Sequence, residues 1–373
     1  MVERGWNIKV LGMSYKGEEH RLPFSVIPCD FYFMPQMIRN LLGQTIDPVD
    51  GIVTSMDIPL QQKLYEHVGA AVNVPWVCVF PVEGDPLTFS WASALSRFGE
   101  RLVISKFGTE EVRKANLSAQ YLPVGIDRSF WKPVENREEM RKTMGLEDKF
   151  VILTVADNQE RKNLSSALEI FAEFIKVVPN SMYFLVTRIN NPTGWILQDL
   201  ITELKLGGHV QLLPQGISSD RLRNYYGISD VFLLTSKAEG LGMPVIEAMA
   251  CRVPVVATDC TAIHENLEGG RGLLVDYMKP PLRDPWGNSR RYLISRDDAL
   301  EKLLLIHSMS EENKNEILDK AQKYTDTLTW DRTTDVLEAA LIDVRLKLQL
   351  SASPPGMLPS EAQQQDMETA DES

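Results

Sequence analysis

The chain has 373 residues, 44% hydrophobic and 24% charged, with 23 glycines and 21 prolines. That usage excludes a disordered, collagen-like or rod-like bulk and is enough for two domains. Its 39 basic and 51 acidic side chains leave a net charge of −12, which argues against binding to nucleic-acid phosphates, a task for clustered Lys and Arg.

Part of the acidic excess is local: Glu361, Asp366, Glu368, Asp371 and Glu372 lie in the segment from Ser351 onward, so the body carries about −7. That segment, rich in Pro, Gln and acids, has few apolar side chains to bury and reads as a disordered tail over 351–373. Cys29, Cys78, Cys251 and Cys260 show no C-x-x-C spacing and read as reduced, buried thiols. The first residues, MVERGWNI, lack a basic stretch followed by an apolar one, and no run of about 18 apolar residues occurs. The expectation is a cytoplasmic chain that does not span a membrane, with peripheral membrane contact left open.

In chain order, apolar runs at 7–12, 51–54, 76–80 and 101–104 suggest a first, short Rossmann-like domain over 1–130. A charged stretch over 131–149 separates it from a second region, over 131–328, in which strands and helices alternate. Strands are expected at 150–155, 182–187, 209–213, 231–235, 253–257 and 272–275. Asn163 is the expected N-cap of a helix whose apolar face is Leu164, Ala167, Leu168, Phe171, Phe174, Ile175 and Val178. Further helices are expected at 195–206, 219–228 and 244–251. Strict alternation implies a parallel sheet with right-handed crossovers. Over 329–350, Leu337, Leu341, Val344 and Leu348 fall on one face of an amphipathic helix that should pack on the body.

The chemistry concentrates in residues 231–250, VFLLTSKAEGLGMPVIEAMA, where a buried strand ends in a glycine-containing turn and a helix begins. Gly240 and Gly242 let backbone approach a ligand closely, Pro244 suits a helix start, and the free N–H groups there favour a diphosphate. Glu239 at the strand exit suits sugar hydroxyls. Glu247, read as lying in the first helical turn, suits a ribose diol. The blander alternative has Glu247 offsetting the helix dipole and Glu239 as a solvated loop charge.

Residues 239–247 resemble the donor segment of the family-four retaining glycosyltransferases. In the same order, residues 122–133 (LPVGIDRSFWKP) resemble that family's interdomain segment, and residues 160–163 (ERKN) its basic loop. Residues 254–259 (PVVATD), Glu265, residues 270–275 (GRGLLV), and Thr329 with Trp330 resemble the elements that follow. The resemblance implies the α/β GT-B fold, two Rossmann-like domains facing across a cleft, with a C-terminal helix crossing back to the first. It implies that a nucleotide-sugar donor binds Gly240, Leu241, Gly242, Met243, Pro244, Val245 and Glu247, with Glu239, Lys162 and Arg161 as catalytic residues. Arg161 and Lys162 would stabilise the departing diphosphate without a metal ion, and no cofactor beyond the donor is implied. The acceptor, whether glycan, lipid or protein, is left open. A donor-binding, partner-dependent chain without its own catalysis is the alternative; a GT-B epimerase is a weaker one.

Four positions depart from the pattern. The opening strand, Gly-rich loop and helix that precede the segment resembling residues 3–12 are not seen here, and the strand would be central in the first sheet. Asp157 stands where an arginine is common, which is unfavourable near a diphosphate unless Arg161 substitutes. Gly84 stands where many relatives carry a histidine, leaving Glu83 or Asp85 to support the acceptor, although a solvated turn is an equal reading. Arg252 replaces a usual glycine. The five histidines form no motif.

Overall fold

The computed structural model describes residues 1–285 and 287–352. The first domain holds β1 (Lys9–Met13), β2 (Ser25–Cys29), β3 (Ile52–Ser55), β4 (Trp76–Phe80), β5 (Glu100–Val103) and β6 (Gln120–Tyr121). These strands do not form one sheet: β1 and β2 make a parallel pair, and β3–β4–β5–β6 make a separate parallel ladder in sequence order. Leu11 and Cys29 nevertheless pack into the same core as Ile52, Trp76 and Phe80, so the two ladders share one hydrophobic interior.

The second domain contains β7 (Phe150–Val155), β8 (Ser181–Thr187), β9 (Val210–Pro214), β10 (Val231–Leu234), β11 (Val255–Thr258) and β12 (Leu273–Val275). Their all-parallel order, β12–β11–β10–β7–β8–β9, reverses direction between β7 and β10. That reversal opens a crevice at the carboxyl ends of those two strands, where doubly wound sheets take ligands. Val151, Ile152, Leu153 and Thr154 of β7 are fully buried, as expected for a strand covered on both faces. A hairpin of β13 (Leu282–Arg283) and β14 (Arg290–Arg291) follows and reaches the first domain.

Asn163 holds its expected N-cap place with different bonding, and two other local expectations are corrected. Asn163 occupies the N-cap of helix Leu164–Val177 but in a left-handed conformation (φ 55°), with no capping bond from its side chain; its amide oxygen instead accepts from Ser166. The next helix is Leu197–Glu203, shorter than expected. Trp195 is held in the preceding loop because the buried Asn158 carboxamide bonds both its N–H and its carbonyl, and the left-handed Lys205 stops the helix behind. The final helix, Trp330–Ala352, packs Ala340, Leu341 and Val344 against Val77, Val79 and Leu102 of the first domain. Leu348, expected on that face, is 40% exposed. The tail beyond residue 352 lies outside the described residues.

The crossing helix is pinned near its start. Arg4 pairs with Asp331, Asp335 and Glu338, and Ile126 N–H donates to the Leu328 carbonyl at 2.9 Å where the two interdomain crossings meet.

Candidate functional site

The turn after β10 is built to hold its backbone open. Gly242, the N-cap of helix Met243–Ala250, has φ +82°, and a Cβ there would meet Ile263 Cδ1 at 2.6 Å. A Cβ on Gly240 would meet Pro81 of the first domain at 2.5 Å, so glycine lets the two domains close on each other here. The N–H groups of Gly240, Leu241 and Gly242 make no hydrogen bond among the described residues, leaving donors at the positive end of the helix. Met243 begins the helix, and Pro244 follows at its second position, where its missing N–H costs nothing. Leu241 and Val245 contribute only backbone to this surface, because their side chains are buried in core clusters.

Glu239 is neither solvated nor loose. It is 5% exposed, with Lys162 Nζ at 2.5 Å from one carboxylate oxygen and Arg161 at 3.0 Å from the other. Burial alone would raise this carboxyl, but Lys162 and Arg161 outweigh it and hold it down to about 2. Thr261 fixes the backbone: its hydroxyl accepts from Glu239 N–H at 2.8 Å and donates to the Glu239 carbonyl at 2.9 Å. Arg161 and Lys162 come from the loop after β7, Glu239 from the loop after β10, so the topological reversal brings together residues 77 and 78 positions apart.

Glu247 lies in the second turn of its helix, not the first, since the helix begins at Met243. Its carboxylate accepts from Tyr226 Oη at 2.8 Å. Burial pushes Glu247 up, with the tyrosine hydroxyl only partly offsetting it.

Across the cleft, Glu83 pairs with Arg161 at 2.9 Å, and burial pushes its carboxyl up despite that partner. Asp85 is not a solvated turn residue: Tyr292 Oη donates to it at 2.6 Å, and its carbonyl accepts from Arg290 N–H at 2.7 Å. Asp157 is neutralised by Arg188 at the end of β8, Nε donating at 2.9 Å, so the compensating cation is Arg188 and not Arg161. Among the described residues no three His, Cys, Asp or Glu side chains are grouped to hold a metal ion, and no helix is long and apolar enough to cross a membrane.

Residues 136–279 match the family described as glycosyl transferases group 1. That match falls within the second domain and covers residues 136–279 of the 373. Among curated relatives, a Mycolicibacterium smegmatis GDP-mannose-dependent alpha-(1-6)-phosphatidylinositol monomannoside mannosyltransferase is 28% identical over 203 residues, covering 52% of this chain and 50% of the relative. A Rhodococcus opacus D-inositol 3-phosphate glycosyltransferase is 27% identical over 221 residues, covering 57% and 45%. The chain thus spans about half the length of the curated relatives it matches. Among solved structures, sucrose-phosphate synthase from Thermosynechococcus elongatus superposes with a TM-score of 0.70 at 18% identity, covering 95% of this chain and 91% of that one. HepE from Anabaena in complex with UDP-glucose superposes with a TM-score of 0.62 at 16% identity, covering 88% and 85%. At these identities the likeness shows the fold, which is GT-B.

The second domain carries the cluster of Glu239, Lys162 and Arg161, and the structure adds partners that sequence spacing did not indicate. Tyr226 and Thr261 position the two glutamates from separate helices. Glu265 caps the first domain, accepting N–H bonds from Lys106 at 3.1 Å and Phe107 at 2.6 Å at the start of helix Lys106–Lys114. The β13–β14 hairpin walls the cleft. Only the short E-x7-E spacing and the ERKN loop signalled the cluster locally; the rest arises from contacts between distant segments.

Proposed function

We propose that the chain transfers a hexose from a nucleotide-sugar donor to an acceptor hydroxyl, with retention of configuration and without a metal ion. The observation that carries this reading is the convergence of Lys162, Arg161, Glu239 and an open helix start at the reversal point between β7 and β10. The group 1 relatives are named for mannosyl and glycosyl transfer, and the HepE structure holds UDP-glucose.

In this reading the diphosphate sits over the N–H groups of residues 240–242, and Lys162 and Arg161 turn from Glu239 toward it. The bond from the sugar's anomeric carbon to the diphosphate oxygen breaks, and a bond to the acceptor oxygen forms on the same face. The acceptor proton passes to the departing diphosphate. Charge developing on that leaving group is met by two cations already held in a water-poor cleft. Glu239 holds sugar hydroxyls once the cations turn away, and Glu247 holds the ribose diol.

The test begins with thermal shifts against UDP-, GDP- and ADP-sugars, since a bound donor stabilises by mass action. Transfer is then followed as nucleoside diphosphate release. Glu239→Ala and Lys162→Ala should each lower turnover by roughly 100-fold or more with the circular dichroism spectrum kept. Unchanged turnover in both would sink the assignment. The interrupted sheet of the first domain favours a second reading, donor binding without catalysis; it predicts nucleotide binding with neither transfer nor hydrolysis.

A further inference from the structure

Beside the donor turn lies a small cavity of about 30 Å³ lined by Asp57, Pro81, Glu83, Trp91, Ser289 and Arg291, among others. It has room for about two water molecules, the size of one carbon bearing one hydroxyl. Pro81 separates it from Gly240, and Glu83 ties its wall to Arg161, so the cavity adjoins the donor cluster. Three walls come from the first domain, at the carboxyl ends of β3 and β4 and the helix Phe89–Leu95; the fourth is β14 with Ser289 before it.

The wall charges do not balance. Arg161 is engaged by Glu83 and Glu239, and Lys162 by Glu239. Arg291 is engaged by Asp284 and the Glu83 carbonyl, and Arg290 by Asp85. Asp57, by contrast, heads helix Ile58–Val68 without its side chain capping it, and its exposed carboxylate makes no hydrogen bond or ion pair among the described residues. Its negative charge is felt at both Glu83 and Arg161. Ser289 is 1% exposed, and its hydroxyl has no hydrogen-bond partner among the described residues. The buried, unpaired Ser289 hydroxyl is what a ligand hydroxyl would satisfy, and the exposed Asp57 carboxylate at the cavity's edge is free to accept a second bond.

We infer that this cavity receives the reacting arm of a neutral polyhydroxylated acceptor, a sugar or cyclic polyol, and disfavours phosphorylated ones. The inference rests on the transferase reading above. Asp57 accepts a hydrogen bond from an acceptor hydroxyl, Ser289 exchanges a second, and Trp91 offers an aromatic wall. A phosphate placed here meets an unpaired carboxylate and finds every nearby cation engaged, first by protein carboxylates and then by the donor diphosphate. Repulsion of the wrong partner is thus built into the wall.

The full chain, saturated with whichever of UDP, GDP and ADP binds, is titrated calorimetrically with glucose, mannose and myo-inositol and with a monophosphate of each. At least one neutral member should bind roughly 10-fold tighter than its monophosphate. Asp57→Asn, an exposed position whose side chain holds no structure, should weaken that member roughly 10-fold and narrow the discrimination. Nucleotide affinity should stay within about two-fold of wild type. Ser289→Ala should weaken the neutral acceptor without changing the preference. A monophosphate that binds as tightly as its parent overturns this inference alone, as does nucleotide binding with no neutral acceptor bound. Failure of all three nucleotides to bind overturns the transferase reading, and this inference with it.

Discussion

Glu239 shows how a buried charge is made tolerable at a ligand site. Removing a carboxylate from water costs several kcal/mol unless partners replace the solvent, and here Lys162 and Arg161 supply them. Its folded-state acidity, near 2 against an ordinary 4.5, corresponds to about 3 kcal/mol of stability. Because the folded value is depressed, that contribution is complete above about 4.5 and is lost as pH falls toward 2. The difference in unfolding free energy between wild type and Glu239→Gln should therefore stay flat from pH 7 to about 5 and shrink below 4.5. Urea titrations across that range check it, and a difference that grows in acid contradicts the pairing. Arg252 poses a backbone question instead. It ends helix Met243–Ala250 at φ +57°, with its N–H bonded to the Met249 carbonyl and the Val253 N–H to the Ala248 carbonyl, the helix-end geometry that glycine fills best. Its guanidinium recovers some of the cost through Asp319, Gln322 and Asn315. Arg252→Gly should be nearly neutral, trading strain for an exposed ion pair. Arg252→Ala keeps the strain and loses the pair, so its urea midpoint should report about 1 kcal/mol less stability than the glycine variant.

At the scale of elements, the proposed donor site is a pair of strand–turn–helix units whose turns face each other, with a third helix steadying the second unit. Tyr226, fully buried and wedged against Trp131 and Phe232, projects from helix Ser219–Ile228 to bond Glu247. Tyr226→Phe keeps the packing and removes that bond, worth about 1 kcal/mol. The donor KM should then rise several-fold with kcat little changed, and an unchanged KM would remove Glu247 from donor binding or Tyr226 from its positioning. The second-domain units were legible in sequence because parallel strands covered on both faces read as short apolar runs, as at Phe150–Val155 and Val231–Leu234, and because the glycines at 240 and 242 mark the turn. Other elements carry no such signal. Strand β2 is half-exposed and contains Pro28, β6 has two residues, and the hairpin strands have two residues each, too few for any periodicity. Asp57 is one carboxylate among many until the fold sets it beside Glu83. The Glu83–Arg161 pair spans two domains, so nothing local to either residue announces it.

The whole molecule closes through polar contacts that cross the cleft, and most of them involve the loop at 81–85. Glu83 meets Arg161, Asp85 meets Tyr292 and Arg290, and the Glu83 carbonyl meets Arg291. Glu265 acts apart from that loop. Its carboxylate receives two N–H bonds at the start of helix Lys106–Lys114, where it also meets the positive end of the helix, and burial pushes its pKa up despite these donors. The contact joins the two domains directly, without passing through the donor turn, so it biases closure and leaves the donor's own contacts intact. Glu265→Ala removes two charge-assisted bonds between the domains, about 2 kcal/mol of closure, enough to shift an open–closed equilibrium roughly 30-fold. Small-angle scattering of the nucleotide-free variant should show a larger radius of gyration than wild type. On the proposed reading, in which the donor touches both sides of the cleft, a saturating nucleotide-sugar should restore the compact curve at the expense of a weaker apparent affinity. An unchanged scattering curve would mean that the crossing helix and the loop at 81–85 hold the domains together without Glu265.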